Sequence, residues 1–530
     1  MGEEENESVE LKPCIENESN NEHMPDISEV REIAEHLNED PRGKLLTGKL
    51  LFSISACVIG TSFNFGYNTG VVNAPQLVLE EFLNETHAKK TGGDPFSASE
   101  ITLMWSIIVA IFCLGGMIGG ISAGVVADFF GRKKAILLNS ILSFIGAGLM
   151  LGSKYAPSYE MLIIGRLLMG INAGLNTGLA PMYLSEIAPV KLRGASGSVN
   201  QLTITIAVLV SQVLGLEVCL GTHDRWPFLL GLSGLMSLIQ VVIFPFCPES
   251  PRYLMLMKHD EYMARKALTE LRGTPDVDME IIEMKAEQEL ARLEPKFAMC
   301  DLFRVSHLRT PAILSIVMQI AQQLSGINAV IYYSTSIFRD SGLTPDHASY
   351  ATLGVGGVIV FVTVISVLLI DLAGRRLLIL ASLGGMWIFI TILTITFSFK
   401  DSYSWLSYIS IVSVMAFVGF FSIGLGSIPW FIVAELFTQG PRGAAMSIAV
   451  LINWLCQIII ALGFPQMQFN MGKYTFIPFV VLNAMFWLYM FFQLPETKNK
   501  TIEQISMSFR KRHSRSKRGD DASRGMVGDT

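Results

Sequence analysis

The 530-residue sequence has little charge for its length: 16% of its residues are Asp, Glu, Lys or Arg, whereas 51% are hydrophobic. Soluble domains carry about a quarter charged residues. The apolar residues form runs of about twenty residues, which is long enough to cross a hydrocarbon layer of roughly 30 Å. These runs lack the alternation of barrel strands. The composition therefore excludes a soluble enzyme and predicts an all-α membrane protein.

Cysteine and histidine are also scarce, and they are poorly arranged for chemistry. The seven cysteines form no CxxC pair, and the eight histidines lie in tails and loops between the apolar runs. Zinc sites and Ser–His or Cys–His catalysis need such residues in defined sets. We therefore expect no metal, no cofactor and no enzymatic activity.

The net charge of −6 comes from one end of the chain. Residues 1–44 hold 14 acidic and 4 basic residues, so the remainder is slightly basic. This polar segment has no basic region followed by an apolar one, as a signal peptide would. We predict a disordered acidic tail at 1–44.

The apolar runs predict twelve spans in two sets of six. A six-helix half at 45–246 is followed by a charged, helix-prone linker at 247–310, a second half at 311–495 and a basic tail at 496–530. Lys and Arg concentrate in the loops after the second, fourth and eighth spans and in the C-terminal tail. Because such loops remain in the cytoplasm, both termini are predicted to be cytoplasmic.

The first external loop carries the sequence Asn84-Glu85-Thr86, which is an acceptor pattern for N-glycosylation. A plasma-membrane location fits this pattern. Near the other end, Arg510, Lys511 and Arg512 begin a basic segment that could contact anionic lipid. We expect membrane lipid as a partner and no nucleic acid; the oligomeric state stays open.

The two halves repeat three motifs. An Asp-xx-Gly-Arg pattern follows the second and eighth spans, a Glu followed by Arg lies after the fourth and tenth, and Pro-Glu-Ser or Pro-Glu-Thr ends each half. Their offsets of 243 to 249 residues indicate duplication, as in transporters that rock about a central site. Paired charges at the cytoplasmic ends could form a latch that breaks as the halves separate. The predicted gate residues are Asp128, Arg132, Arg166, Glu186, Arg193, Glu249, Asp371, Arg375, Arg376, Glu435, Arg442 and Glu496. Arg166 lies within a span, and Glu186 and Asp128 are its candidate partners.

A site for an uncharged, hydroxyl-rich solute needs groups that both donate and accept hydrogen bonds, beside an apolar or aromatic wall. Uncharged amides and indole rings inside the spans meet this need, although a single buried amide more often joins helices. The candidates are Gln201, Gln322, Gln323, Asn328 and Asn453, with Trp430 and Trp454.

The ordered motifs "FGYNTGVVNAP", "PMYLSEIAPVKLRG", "CPESPR", "QQLSGINAVIYYSTSIF", "IPWFIVAELF" and "PETK" resemble those of the sugar porters of the major facilitator superfamily. Within these, the chain is most similar to the class I facilitative glucose transporters, over roughly residues 45–510. The resemblance implies a major facilitator fold and hexose contacts from Gln201, Gln322, Gln323, Asn328, Trp430 and Asn453. It implies the gate as well.

Two positions depart from the family pattern. Ile359 stands where glucose-transporting relatives usually have a sugar-binding asparagine, and Ser422 stands where they usually have a glutamate. Leu425 and Ser427 replace two prolines of the same family motif. We therefore expect a hexose site with fewer polar contacts, which would be weaker or broader in specificity.

Four functional hypotheses remain open. Similar proton symporters have an aspartate where this chain has Asn68, and the predicted spans have no Asp or Glu in their middles. An amide does not take up a proton near neutral pH, so the sequence favours facilitative uniport of a hexose, D-glucose above all. The alternatives are a broader carrier of fructose or galactose, a proton-coupled symporter and a non-transporting sugar sensor.

Overall fold

The computed structural model describes residues 46–293, 297–399, 403, 405–498 and 504, and within these ranges the chain is helical without strands. The first six spans are Gly48–Gly60 with Ser62–Gly70, Ala98–Phe130, Arg132–Gly152, Tyr159–Ile187, Arg193–Leu214 and Trp226–Ile243. The last six are Ser306–Leu324 with Ile327–Asp340, Pro345–Ala373, Arg375–Phe399, Leu406–Ile423 with Ile428–Leu436, Gln439–Met471 and Ile477–Gln493. In the described ranges, eleven of these spans are long and apolar enough to cross a membrane, and the twelfth is a shorter apolar helix. The predicted all-α architecture is confirmed, and the chain is a multi-pass membrane protein.

Several spans are longer than their apolar runs, because the helix extends to a polar capping residue that lies outside the apolar run. Ser97 starts the second span with a capping box in which Glu100 bonds back to the cap. The second span ends at Gly131 and the eighth at Gly374, with φ of +88° and +87°. Glycine adopts this backbone without strain, so both spans turn at the same point of the repeated motif.

Three spans are interrupted near their middles. The first is broken at Thr61, the seventh at Ser325 and Gly326, and the tenth between Ile423 and Ile428. Gly326 has φ of +102°, which explains the glycine in the "LSG" motif. Broken helices expose backbone groups at membrane depth, where only protein or a cavity can satisfy them. In transporters, such breaks mark the binding region.

The two halves meet along two helix pairs, the second span with the eleventh and the fifth with the eighth. Glycines allow the close approach of the first pair, since a Cβ at Gly116 or Gly120 would overlap the Trp454 ring or Val450. In the other pair, a side chain at Gly356 would overlap Gln212. Small residues at such contacts are typical of helix packing in lipid, where close backbone approach supplies the attraction.

Between the halves lie four short helices: Pro251–Leu256, Glu261–Arg272, Asp278–Leu293 and Asp301–Arg304. Arg272 fastens them to the N-terminal half, because its guanidinium donates to Ile187 O (2.9 Å) and pairs with Glu280 (2.8 Å). Thr47 also donates to Leu271 O, at 2.6 Å. The predicted helical linker is therefore present and is anchored where the fourth span ends.

The first external connection differs from the expected loop. It contains the helix Gln76–Thr91, in which Asn84 is half-buried with its Oδ1 enclosed and Thr86 is buried. The acceptor pattern therefore lies on a packed helix and not in an exposed loop. The acidic tail at 1–44 and Arg510 to Arg512 lie outside the described residues.

Candidate transport site and gates

Buried amides from the seventh and eleventh spans form one hydrogen-bonded cluster. Asn453 donates to Gln322 Oε1 at 2.7 Å and accepts from Gln323 Nε2 at 2.9 Å. Asn328, two residues beyond the break of the seventh span, donates to Gln323 Oε1. The cluster brings together four of the residues predicted for the sugar site, and we call these residues, with Gln319 and Gln457, the amide cluster.

Gln319 and Gln457 were not among the predicted site residues. Gln319 Oε1 accepts from Asn453 at 2.7 Å, and Gln457 Nε2 donates to Asn453 Oδ1 at 2.9 Å. Gln457 also accepts from the Tyr332 hydroxyl, at 3.1 Å. Helical spacing could have found both, because Gln319 is three residues before Gln322 and Gln457 is four after Asn453.

The amide cluster also donates hydrogen bonds to backbone carbonyl groups at the break in the tenth span. Gln322 Nε2 donates to Leu425 O at 2.7 Å and Gly426 O at 3.2 Å. Ser366 donates to Ile423 O at 2.9 Å, and Ser382 accepts from Leu425 N at 3.3 Å. The two replaced prolines have therefore not removed the break. A ligand that accepts a hydrogen bond from the Gln322 amide must compete with the carbonyl oxygens of Leu425 and Gly426. Ligand binding at the amide cluster is therefore coupled to the conformation of the tenth span.

The remaining predicted site residues lie in different surroundings. Trp454 is 2% exposed, and it packs across the interface of the halves, edge-on to Phe65 and Phe112. Trp430 is half-buried in the tenth span. Gln201 is half-buried in the fifth span. Among the described residues, no hydrogen bond joins it to the amide cluster.

The two departures from the family pattern offer no free polar group. Ile359 is buried in the apolar core. Ser422 is also buried, and its hydroxyl donates to Val418 O one turn earlier, at 3.0 Å. In this arrangement, neither residue replaces the hydrogen-bonding capacity of an asparagine or a glutamate.

Asn73 is fully buried after the first span, at the end of the bundle that the sequence predicts to be extracellular. Its Nδ2 donates to Ile331 O at 2.8 Å and Ser334 Oγ at 2.7 Å, and its Oδ1 accepts from Thr335 N at 3.3 Å. All three partners belong to the second helix of the seventh span. Asn73 therefore joins the two halves on this side.

The predicted pairing of Arg166 with Glu186 or Asp128 is wrong. Arg166 lies seven residues into the fourth span and Glu186 lies twenty residues further on, a helical distance of about 30 Å at 1.5 Å per residue. The fully buried guanidinium donates to Asn68 O at 2.9 Å and stacks over Phe112 at 4.4 Å. Asp128 and Glu186, its predicted partners, pair with Arg132 instead. The sequence interpretation considered Arg166 and Glu186 as partners within one span, but the two residues lie near opposite ends of it.

At the end of the first half that is predicted to be cytoplasmic, four residues form what we call the N-terminal cluster: Arg132, Glu186, Glu249 and Ser250. Arg132 binds Glu186 through Nε (2.9 Å) and Nη2 (2.9 Å), and Ser250 donates to the same carboxylate. Glu249 accepts from Lys133 N at 2.9 Å and from Ser250 N at 2.9 Å. Burial raises the pKa of Glu249, and these N–H donors act against the rise.

The second half repeats this arrangement in a C-terminal cluster of Arg375, Glu435, Glu496 and Thr497. Arg375 Nε donates to Glu435 at 3.3 Å. Glu496 accepts from Arg375 N at 3.0 Å and from Thr497 N at 3.0 Å. The repeated motifs thus build matching structures, as predicted from their offsets.

The expected latch between the halves is not what these contacts form. The described partners of Arg132, Glu186, Arg375 and Glu435 all lie in their own half or, for Ser250, in the linker that follows it. Arg376 donates to Glu496 through its backbone and to Phe491 O at 2.6 Å, and Arg442 donates to Phe437 O at 3.3 Å.

For the two remaining predicted gate residues, the structure describes only their position in a helix. Arg193 begins the fifth span. The side chain of Asp371 lies outside the described part of the chain.

A family profile described as "Sugar (and other) transporter" matches residues 54–509. The chain belongs to this sugar transporter family. It is 48% identical over 464 residues to "Solute carrier family 2, facilitated glucose transporter member 3" of Ovis aries, which covers 88% of this chain and 93% of that protein. It is 45% identical over 468 residues to member 1 of Gallus gallus, which covers 88% and 95%. The resemblance to facilitative glucose transporters inferred from the motifs is confirmed.

Among solved structures, the fold matches "Partially occluded inward open conformation of the xylose transporter XylE from E. coli", with a TM-score of 0.73 and 24% identity. The match covers 86% of this chain and all of that chain. A second XylE structure, described as a major facilitator superfamily protein, has a TM-score of 0.71. The predicted major facilitator fold is therefore confirmed for this family member.

Proposed function

We propose that this protein carries a hexose, D-glucose above all, passively across the membrane by alternating access. The amide cluster carries the proposal: it is buried and uncharged, and it joins the breaks of the seventh and tenth spans. Amides both donate and accept, as recognition of sugar hydroxyls requires. Relatives at 45% to 48% identity bear the name facilitated glucose transporter, which supports the same substrate and a transport role, not an enzymatic one.

Uniport follows from the surroundings of Arg166. Its backbone partner in the first span is Asn68, whose own amide donates to Asn64 Oδ1 at 2.7 Å. A carboxylate here could exchange a proton with the solvent as the halves rock, but an amide cannot. We therefore expect that, in vesicles with a pH gradient, the internal sugar concentration rises only to the external concentration. Uphill accumulation driven by the gradient would contradict uniport.

A broader hexose specificity is the second candidate, and Ile359 and Ser422 favour it. Neither offers a free polar group, so the C-terminal half supplies the sugar with fewer hydrogen bonds. A neutral hydrogen bond contributes about 1 kcal/mol, and discrimination between hexose epimers falls when such bonds are missing.

One substrate panel tests both candidates. Purified protein in liposomes is assayed for zero-trans uptake of labelled glucose, competed by fructose, galactose and 2-deoxyglucose. Ile359→Asn and Ser422→Glu are assayed beside the parent, with Ile365→Asn, on an exposed face of the same eighth span, as the matched control. Ile359→Asn should raise glucose affinity and sharpen selectivity, whereas Ile365→Asn should do neither. Strict glucose selectivity in the parent would remove the broader candidate, and an absence of uptake of every hexose would contradict transport itself.

The predicted location and surface features complete the proposal. We place the protein in the plasma membrane with both termini in the cytoplasm, and with the domain limits given by the sequence. Asn84 remains the candidate glycosylation site, and modification during synthesis would have to precede the packing of its helix. The segment from Arg510 to Arg512 remains a candidate for contact with anionic lipid, which vesicle binding of the full chain would test.

A further inference from the structure

Three metal-ligating side chains meet on the surface, at the end of the bundle that is predicted to be extracellular. Glu81 and Glu85 lie one turn apart on the helix Gln76–Thr91, and His223 lies in the turn that precedes the sixth span. One ligand atom from each residue lies within 4.8 Å of the other two, and all three residues are exposed. We call these residues the outer triad. None of them belongs to the amide cluster or to the charged clusters at the opposite end.

Packing holds the two sides of the outer triad in place. Phe82, on the helix between the two glutamates, packs against Trp226 with ring centroids 4.8 Å apart, and both rings are buried. The backbone N–H of Trp226 donates to Thr222 O at 3.1 Å, which closes the turn that carries His223. The helix and the turn therefore cannot separate without exposing two buried aromatic rings, so the ligands are positioned by the fold.

Both ring nitrogens of His223 face carboxylates. Its Nε2 lies 3.5 Å from Glu85 Oε1, and its Nδ1 lies 3.8 Å from Asp224 Oδ1. Asp224 is held in turn by Lys154, whose Nζ lies 2.9 Å from the same oxygen. A metal-ligating histidine typically turns its second nitrogen toward a carboxylate, which fixes the ring and raises its basicity. This arrangement of the imidazole distinguishes the outer triad from a cluster of surface carboxylates.

The ligand types and their spacing favour zinc over harder cations. Zinc binds imidazole nitrogen and carboxylate oxygen at about 2.1 Å, so two of its tetrahedral ligands lie about 3.4 Å apart. The 3.5 Å between His223 Nε2 and Glu85 Oε1 matches this spacing. Calcium takes roughly six to eight oxygen ligands, which two carboxylates do not supply. In the described part of the chain, no lysine or arginine pairs with Glu81 or Glu85, so a divalent cation would offset the repulsion between them.

We propose that the outer triad binds a divalent transition-metal ion of the zinc class, with Glu81, Glu85 and His223 as ligands and Asp224 as a positioning residue. Water completes the coordination on the exposed face. The ion joins the first external connection to the turn before the sixth span, and it therefore stabilises the folded N-terminal half. The proposal does not depend on the proposed transport function, because the outer triad shares no residue with the amide cluster.

Calorimetric titration and thermal unfolding of the purified, deglycosylated full chain test the site. Three cysteines are first replaced by serine, so that their thiols do not bind zinc: Cys14, Cys219 and Cys300. Zinc chloride should bind with one ion per chain and raise the unfolding midpoint, whereas magnesium chloride should do neither. His223→Ala and Glu85→Gln should abolish both effects. Asp224→Asn should weaken zinc binding about 10- to 100-fold without lowering the midpoint of the metal-free protein.

His347→Ala and Glu217→Gln are the matched controls, because both residues are exposed at the same end of the bundle and lie outside the outer triad. Both variants should keep the full zinc response. A zinc response that survives His223→Ala would place the ion elsewhere, and an equal response to magnesium would indicate a non-specific acidic surface. Either result, or a parent that binds no zinc, would overturn the proposal. Neither readout uses sugar flux, so a failure of the proposed transport function would leave this result unaffected.

Discussion

Asn73 is the residue whose removal should most clearly change which side of the protein is open. Its three hydrogen bonds all cross from the first span to the seventh, and its side chain is fully buried. Asn73→Ala deletes these bonds and leaves buried partners on the seventh span unpaired. At about 1 kcal/mol for each bond, the closed extracellular side loses about 3 kcal/mol. Since about 1.4 kcal/mol is a tenfold change, the equilibrium should move toward extracellular opening on the order of a hundredfold.

The measurement is a distance between spin labels at Leu77→Cys and Tyr350→Cys, two exposed positions at the extracellular ends of different halves. Asn73→Ala should convert a short distance into a predominantly long one. Asn139→Ala is the matched control, because Asn139 is an equally buried amide whose bonds to Asn172 O (3.0 Å) and Asn176 (2.8 Å) stay within the first half. Asn139→Ala should lower thermal stability without moving the labels apart. The reasoning fails if the control moves them as far as Asn73→Ala does.

Three further predictions concern packing, pH and the linker. Gly116→Ala should lower stability by about 1–3 kcal/mol in an unfolding assay, because its methyl group overlaps an indole ring of the other half, whereas Gly124→Ala on the same helix meets nothing and should be neutral. Burial raises the pKa of Glu80 above its usual range, so the folded state holds this proton more tightly than the unfolded chain. Stability should therefore fall as the pH rises from the ordinary glutamate pKa toward the raised one, and Glu80→Gln should flatten that part of the profile; an unchanged slope would refute the assignment. Arg272→Met should release the linker from the fourth span and speed its proteolysis, while unchanged cleavage would show that the pair with Glu280 is dispensable.

Much of the architecture could be predicted because membrane insertion acts on local sequence. Runs of apolar residues must become helices in lipid, and the basic loops fix their direction, so the twelve spans and the linker followed directly. Helix ends were less predictable, because a cap such as Ser97 extends a helix beyond its apolar run. The helix that carries Asn84 was missed because it is amphipathic only weakly and lies between two strongly apolar runs.

The amide cluster was partly predictable from the same local logic. Polar residues inside a span must be satisfied by one another, so Gln322, Gln323, Asn328 and Asn453 could be grouped before their positions were known. Helical spacing from Asn453 could have added Gln457 to this group, but nothing in the sequence links it to Tyr332, 125 residues earlier. The partners predicted for Arg166 were wrong, because the order of charges along the sequence does not account for the distance that the rise of the helix puts between them.

By itself, the sequence determined the membrane class, the duplication, the family resemblance and the uncharged character of the candidate site, since each depends on residue type and spacing. Only the tertiary structure decided that Gln322 is bound to the break of the tenth span, that Asn73 joins the two halves, and that Glu186 is fully paired while Glu435 is not. These facts depend on distances between atoms of different helices. Two copies of one motif can therefore specify the same local turn and yet differ in the partners that the surrounding fold supplies.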